Sequence, residues 1–372
     1  MSNSKAPSRR EFLKASAAGA ASLTVAGIST GSSQLPLGTA KRCIFINMVG
    51  GASHIDTFDP KPEAPTEVRG PFKPIQTKVP GLHLSELFPK LATMTDKFSL
   101  IRSMHHTAPP IHECGFQLLN TGHLFRDGPE WPSVGAVMSH LMEKQNEPDT
   151  WWLGPKAEIS TGINISHGQS AGFLGSVCRS PRSSPWSFGH PAQPFSHDKS
   201  MVQEIALALD ENAQFVTINM FTSVFDAVSW DCHADGGSLR TDLKDIRDTV
   251  APIFDANLSS LITLLDQRGL VDSTLIVATG EFGRTPLLNA NGGRDHWAGA
   301  WTALVAGGGV KGGRVIGRTD AKGTQPTDRP VTPQELVATI YTALGVPPNT
   351  TIPGPDGSPV AVYPGKPVHE LF

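Results

Sequence analysis

The sequence has little that would tie it to nucleic acid, to a membrane span or to a disulfide framework. No stretch is rich in Lys or Arg, and 31 basic against 34 acidic residues leave a formal charge of −3. A polyanion binder carries a basic patch, so nucleic acid is not expected as a partner. No run approaches the ~18 consecutive apolar residues of a membrane helix, so no stable membrane span is expected. The four cysteines, Cys43, Cys114, Cys178 and Cys232, are far apart and form no Cys-x-x-Cys pair, which argues against a structural zinc knuckle. In an oxidising compartment they could form one or two disulfides, whose pairing the sequence does not assign, or stay as buried thiols. Aromatic residues make up only 7% of the chain, and Tyr (2) is scarcer than Trp (7). No internal repeat is visible.

Glycine and proline, by contrast, are plentiful at 37 and 31 residues, the composition of many loops around a rigid scaffold. With 372 residues, 39% of them hydrophobic, the chain can bury one large core or two modest ones. Its N-terminus reads Ser8-Arg9-Arg10-Glu11-Phe12-Leu13-Lys14 and is followed by a small-residue, weakly apolar stretch from Ala15 to Ile28. An arginine pair before Phe-Leu-Lys and a mild apolar region resembles a twin-arginine export signal. The other reading, a basic amphipathic first helix, is disfavoured by the poor helix propensity of Ala-Gly-Ala-Ala-Ser. We therefore set residues 1–35 apart as a signal and expect the twin-arginine export machinery as a partner. A periplasmic or secreted location follows.

From Lys41 onward, short apolar runs alternate with helical spacing. Strands are expected at Cys43–Val49, Phe98–Ile101, Phe215–Met220, Thr274–Thr279 and Thr302–Ala306. Leu84, Leu87, Leu91 and Met94 have helical spacing. Leu239, Leu243, Ile246, Val250, Phe254, Leu258, Leu261 and Leu265 step by three and four, which predicts one long helix. A further helix is expected to begin at Pro333, with Leu336, Ile340 and Leu344 on one face. Continuous apolar strands separated by helices imply an α/β fold, doubly wound, with a mainly parallel sheet covered by helices on both faces. Residues 41–372 read as a single domain. The stretch at about 154–200, rich in Gly, Ser, Pro and His, reads as an irregular insertion.

In an open α/β sheet, ligands sit at the carboxyl ends of the strands. Polar residues gather there. His54 and Asp56 follow the first strand, Asp231 and His233 follow the Phe215 strand, Glu281 follows the Thr274 strand, and Asp295 and His296 precede the Thr302 strand. Each group alone is a capped loop as readily as a ligand set. Together they supply the carboxylates and imidazoles that hold zinc, manganese or iron, and paired carboxylates can bridge two ions. A hydrogen-bonded structural cluster is the competing reading. Arg284 and Arg294 could grip an oxyanion in bidentate fashion, or pair with carboxylates of the same loops.

Five motifs carry a resemblance to a known family. They are Gly-Gly-Ala-Ser-His-Ile-Asp-Thr-Phe-Asp-Pro-Lys-Pro (50–62), Ile-Arg-Ser-Met-His-His (101–106), Trp-Asp-Cys-His (230–233), Gly-Glu-Phe-Gly-Arg-Thr (280–285) and Gly-Arg-Asp-His-Trp (293–297). As a set they resemble the DUF1501 family, a relative of sulfatases and alkaline phosphatases. The resemblance implies an alkaline-phosphatase-like fold with a binuclear metal centre, holding two divalent ions, zinc or manganese rather than calcium. Asp231, His233 and His296 would hold one ion. Asp56 and Glu281 would hold the second, with Asp295 as a further ligand. Residues 111–122, ending in Leu-Leu-Asn-Thr-Gly, resemble the sulfatase signature helix, and the nucleophile position of that helix holds His112. No Cys-x-Pro-x-Arg or Ser-x-Pro-x-Arg is present, so formylglycine chemistry is not expected. His112 itself, Thr107, Ser103 or an activated water remain as candidates for the attacking group. The implied activity is hydrolysis of phosphate or sulfate esters, on a small molecule or a polysaccharide. The alternative is a non-catalytic protein on the same fold that binds an acidic polysaccharide beside Trp151-Trp152.

Overall fold

A computed structural model of the chain describes residues 38–143, 151–153, 159, 167–178, 182–183 and 200–372. The signal assigned to residues 1–35 and most of the insertion assigned to residues 154–200 lie outside these. Among the described residues no helix is long and apolar enough to cross a membrane.

The core is an eight-stranded sheet. Its strands are β1 (Arg42–Met48), β2 (Phe98–Met104), β3 (Trp151–Leu153), β4 (Arg182–Ser183), β5 (Phe215–Met220), β6 (Thr274–Thr279), β9 (Trp301–Ala306) and β10 (Val315–Ile316). Between β6 and β9 lies a small separate ladder of β7 (Gly283–Arg284) and β8 (His296–Trp297). The spatial order is β10-β2-β9-β6-β1-β5-β3-β4. Every pairing is parallel except those of β9, which is antiparallel to both β2 and β6. The fold is α/β with a mainly parallel sheet, and β9 is its one reversal among the described strands. The reversal matters for function. The chain leaves β6 at its carboxyl end and re-enters the sheet through β9 at that same edge. His296, which precedes β9, therefore lies on the same edge as residues that follow β1, β2, β5 and β6.

The strands are buried on both faces, as their unbroken apolar runs require. Alternate residues of β1 go to opposite sides: Ile44, Ile46 and Met48 join one core, Cys43 and Phe45 the other. The first core is covered by the helix Ala251–Gln267 and by the helix Ser200–Asp210. The second is covered by α1 (His112–Thr121), α2 (Val134–Glu143) and the helix Pro333–Ala343. The last of these has the expected start. Pro333 sits in its first turn, and Thr332 and Glu335 form a reciprocal capping box. The four cysteines form no disulfide.

Two helical expectations change. Residues 84–94 do not form one helix. Leu84 lies in a short strand, His83–Ser85, and Leu91 in a single turn, Pro89–Ala92. Both leucines are buried, so a strand followed by a turn satisfies the same spacing, with Pro89 opening the turn. The long helix begins at Leu243, not Leu239, because Asp242 and Asp245 cap each other there. A π-turn over Ile246–Val250 then shifts its stripe before Ala251.

One buried group opposes this packing. Glu204 on the Ser200–Asp210 helix is fully buried, and neither carboxylate oxygen has a hydrogen-bond partner. Burial raises its pKa from 4.5 to about 8. The folded pKa lies above the unfolded one, so the cost is absent below pH 4.5, grows between, and is complete above about pH 8. Glu204→Met is expected to raise stability by roughly 1–3 kcal/mol at pH 9 and by little at pH 4. Denaturant unfolding at the two pH values checks this, and equal gains at both would contradict the assignment.

Candidate metal centre

The carboxyl edge of the sheet brings four loops to one point, and glycine lets them meet. After β1 the chain turns at Gly50, with φ +107°, where a Cβ would stand 2.4 Å from the backbone nitrogen of Asp231. On α1, a Cβ at Gly115 would lie 2.4 Å from the carbonyl oxygen of Glu281. The first approach seats the loop after β1 against the loop after β5, and the second seats α1, which carries His112, against the loop after β6. After β5, Trp230 and Cys232 point into the first core, which leaves Asp231 and His233 to face the site. The β7–β8 ladder sets His296 directly opposite Arg284.

Asp231 lies at the centre, with no exposed surface. Its Oδ1 is 3.2 Å from His233 Nε2 and 3.2 Å from His296 Nε2, and it accepts from the Arg284 guanidinium. Its Oδ2 is 3.5 Å from His112 Nε2. Burial works to raise the acid's pKa, but the Arg284 charge and the three imidazoles outweigh it and hold the carboxyl far below the usual range.

Each imidazole is anchored through its other nitrogen. His112 Nδ1 is 2.7 Å from Glu281 Oε1, His233 Nδ1 is 3.0 Å from Asp295 Oδ1, and His296 Nδ1 is 2.8 Å from the Pro110 carbonyl. A carbonyl or carboxylate oxygen can only accept, so each Nδ1 carries a proton. Nε2 is then the atom each ring turns toward Asp231: it donates to the carboxylate when protonated and would offer its lone pair to an ion held between them. Burial pulls His296 down to about 4 despite its contact with Asp231. Burial also disfavours the charged form of His112, yet Asp231 and Glu281 carry it up to about 9.

Four buried polar atoms in this cluster have no hydrogen-bond partner: His112 Nε2, His233 Nε2, Asp231 Oδ2 and Glu281 Oε2. Leaving such atoms unsatisfied costs ~1–3 kcal/mol each. The ligand atoms of His112, Asp231 and His296 all lie within 4.8 Å of one another. Nitrogen and oxygen atoms gathered this closely, each ring held from behind by an acceptor, could hold a transition-metal ion. The residues present fit a divalent ion.

The remaining expected site residues occupy other places. Asp295 holds His233 from behind, and its side chain is 55% exposed. Glu281 accepts from both His112 and the Gly50 amide. Asp56 is gripped by Arg294 through both carboxylate oxygens, Nε to Oδ2 at 2.6 Å and Nη2 to Oδ1 at 3.1 Å. Arg294 also donates to the carbonyls of Val68, Thr285 and Pro286. Arg284 donates to Asp231 and to the carbonyls of Gly50, Gly51 and Arg294. Both arginines are fully buried, and their donors are turned toward the protein. Asp56 and Glu281 share no contact that would hold a second ion. Ser103 donates to the Arg329 carbonyl and is likewise taken up by the scaffold.

No curated protein sequence matches the chain. Among solved structures it is similar to a protein of the alkaline phosphatase superfamily from Vibrio parahaemolyticus, at 12% identity and a TM-score of 0.45 over 84% of this chain and 69% of that one. It is also similar to the phosphonate monoester hydrolase from Silicibacter pomeroyi, at 12% identity and a TM-score of 0.46 over 85% and 75%. A third is a sulfatase from Pseudoalteromonas sp., at 14% identity and a TM-score of 0.45 over 82% and 68%. The model of the family described as protein of unknown function (DUF1501) matches residues 40–180 and 201–372, and the chain belongs to that family.

Proposed function

We propose that this chain is an exported, metal-dependent hydrolase of phosphate or sulfate esters, built on one ion held by Asp231, His112, His233 and His296. The observation that carries the reading is the convergence of three imidazole Nε2 atoms on one buried carboxylate, with each Nδ1 tied to an acceptor. Export rests on the twin-arginine pattern of residues 8–14. Three nitrogens and an oxygen suit zinc best. A divalent ion held here supplies positive charge for the ester's oxyanion and acidifies water.

The chain's own residues divide the remaining work. Glu281, Asp295 and the Pro110 carbonyl orient the three rings and fix their tautomers. Arg284 locks Asp231 in place and offsets its charge. Glu281 Oε2 has no partner and is the group available to accept a proton from the attacking water. In this reading His112 holds the ion and is not the nucleophile. Arg294 stiffens the loop that carries Asp56.

Hydrolysis of p-nitrophenyl phosphate, bis(p-nitrophenyl) phosphate and p-nitrophenyl sulfate tests this. Turnover of at least one ester is expected, abolished by a chelator and restored by zinc or manganese. His296→Ala is expected to lower it at least about 100-fold. No turnover by protein that holds its ion would sink the hydrolase reading and leave a metal-centred binding protein.

A further inference from the structure

A cleft lies beside the candidate metal centre, sharing with it the chain segment from residue 105 to residue 112. Its volume is about 700 Å³, a size typical of small-molecule sites. Its walls include Arg126, Lys366, His106, Thr107 and Gln334, with Leu124 and Pro364 as apolar floor. Both cations are exposed, and neither makes an ion pair among the described residues. The one acid in the lining, Glu335, is already used. It pairs with Arg329 at 2.9 Å and accepts from the Thr332 amide at 2.9 Å. The cleft is therefore net positive.

Two further polar side chains, Thr107 and Gln334, line the same space. His106 is also in the lining, but it is only 7% exposed and its ring nitrogens are buried beside the backbone of Ala108 and Glu281. Its ring is fixed edge-on against Trp301 at 5.4 Å and forms part of the rigid wall. The helix Pro333–Ala343 begins at the cleft wall, with Thr332 and Gln334 in the lining, and its capping box keeps Thr332 and Glu335 engaged with each other.

We propose that this cleft binds an oxyanion (carboxylate, sulfate or phosphate), either free or carried on a small, partly apolar, hydroxyl-bearing body. Arg126 and Lys366 supply the charge, Thr107 and Gln334 the directional hydrogen bonds, and Leu124 and Pro364 the apolar contact. The proposal does not depend on ester hydrolysis. It does place an occupant next to the metal centre, because one loop serves both. Residues 105–108 line the cleft, while Pro110 anchors His296 and residue 112 is His112. With Arg284 and Arg294 turned inward, the cleft offers the exposed positive charge that the centre lacks.

The test is calorimetric titration of the full chain with sodium sulfate, glucose 6-sulfate and glucose, repeated on His296→Ala so that the metal centre cannot take the anion. One equivalent of a sulfate-bearing probe is expected to bind in both proteins, and glucose is not. The Arg126→Ala/Lys366→Ala variant, altered only at exposed positions, is expected to bind at least about tenfold more weakly. Equal affinity for sodium sulfate and glucose 6-sulfate would identify a free anion as the occupant, and tighter binding of the sugar sulfate would identify a substituent. Both results support an oxyanion site. Failure of both anions to bind, or binding that survives the double substitution or is lost in His296→Ala, overturns it.

Discussion

Asp231→Asn is expected to lose the metal ion and to destabilise the chain by ~3–5 kcal/mol, even when wild type and variant are compared without metal. The two losses have one source. Asp231 is the fully buried counter-charge of Arg284 and the point toward which His112, His233 and His296 all turn. Asparagine keeps the shape and removes the charge. Arg284 would then be a buried cation with only neutral acceptors, the amide oxygen at position 231 and the carbonyls of Gly50, Gly51 and Arg294. Denaturant unfolding of the metal-free proteins reads the first loss and metal analysis reads the second. A variant that unfolds at the wild-type midpoint and retains its ion would mean that Asp231 does neither job.

Arg294→Met is expected to cost as much stability, again ~3–5 kcal/mol, while leaving metal content unchanged. It would strand the Asp56 carboxylate, whose side chain is 1% exposed and bonded to Arg294 through both oxygens. The carbonyls of Val68, Thr285 and Pro286 would lose a donor as well. Arg294→Lys is not expected to restore stability, since one ammonium cannot copy a planar fork reaching five acceptors. Adding Asp56→Leu to Arg294→Met should recover part of the loss, because two apolar groups replace a broken pair. Unfolding midpoints and metal content of the three variants check this. Loss of the ion in Arg294→Met would instead place Asp56 at the metal.

These two arginines mark where sequence reasoning stops. The strands at Arg42–Met48, Phe215–Met220, Thr274–Thr279 and Trp301–Ala306 were legible because strands buried on both faces must be apolar throughout. Asp231, His233 and His296 were legible as candidates because each stands beside such a strand. His112 was legible only through the resemblance of its helix to a sulfatase signature, and its place among the other imidazoles needed the fold. The hand of β9 was not legible, although its reversal is what carries His296 to the shared edge. Nor was the pairing of Asp56 with Arg294, 238 positions apart. Motif spacing places both near the edge but does not say which way either side chain turns. Arg126 and Lys366 were missed altogether. Each is a single cation in a loop, and only tertiary structure brings them to one cleft. The helix expected from Leu239 failed for a local reason that was present in the sequence, the Asp242–Asp245 capping box.

In the proposed centre a single divalent ion belongs to the cluster around Asp231. Metal analysis of the chain after incubation with zinc and removal of the excess reads this out. One ion per chain is expected, absent from His112→Ala and from His296→Ala. Two ions per chain, no ion, or an ion that survives both substitutions would contradict it.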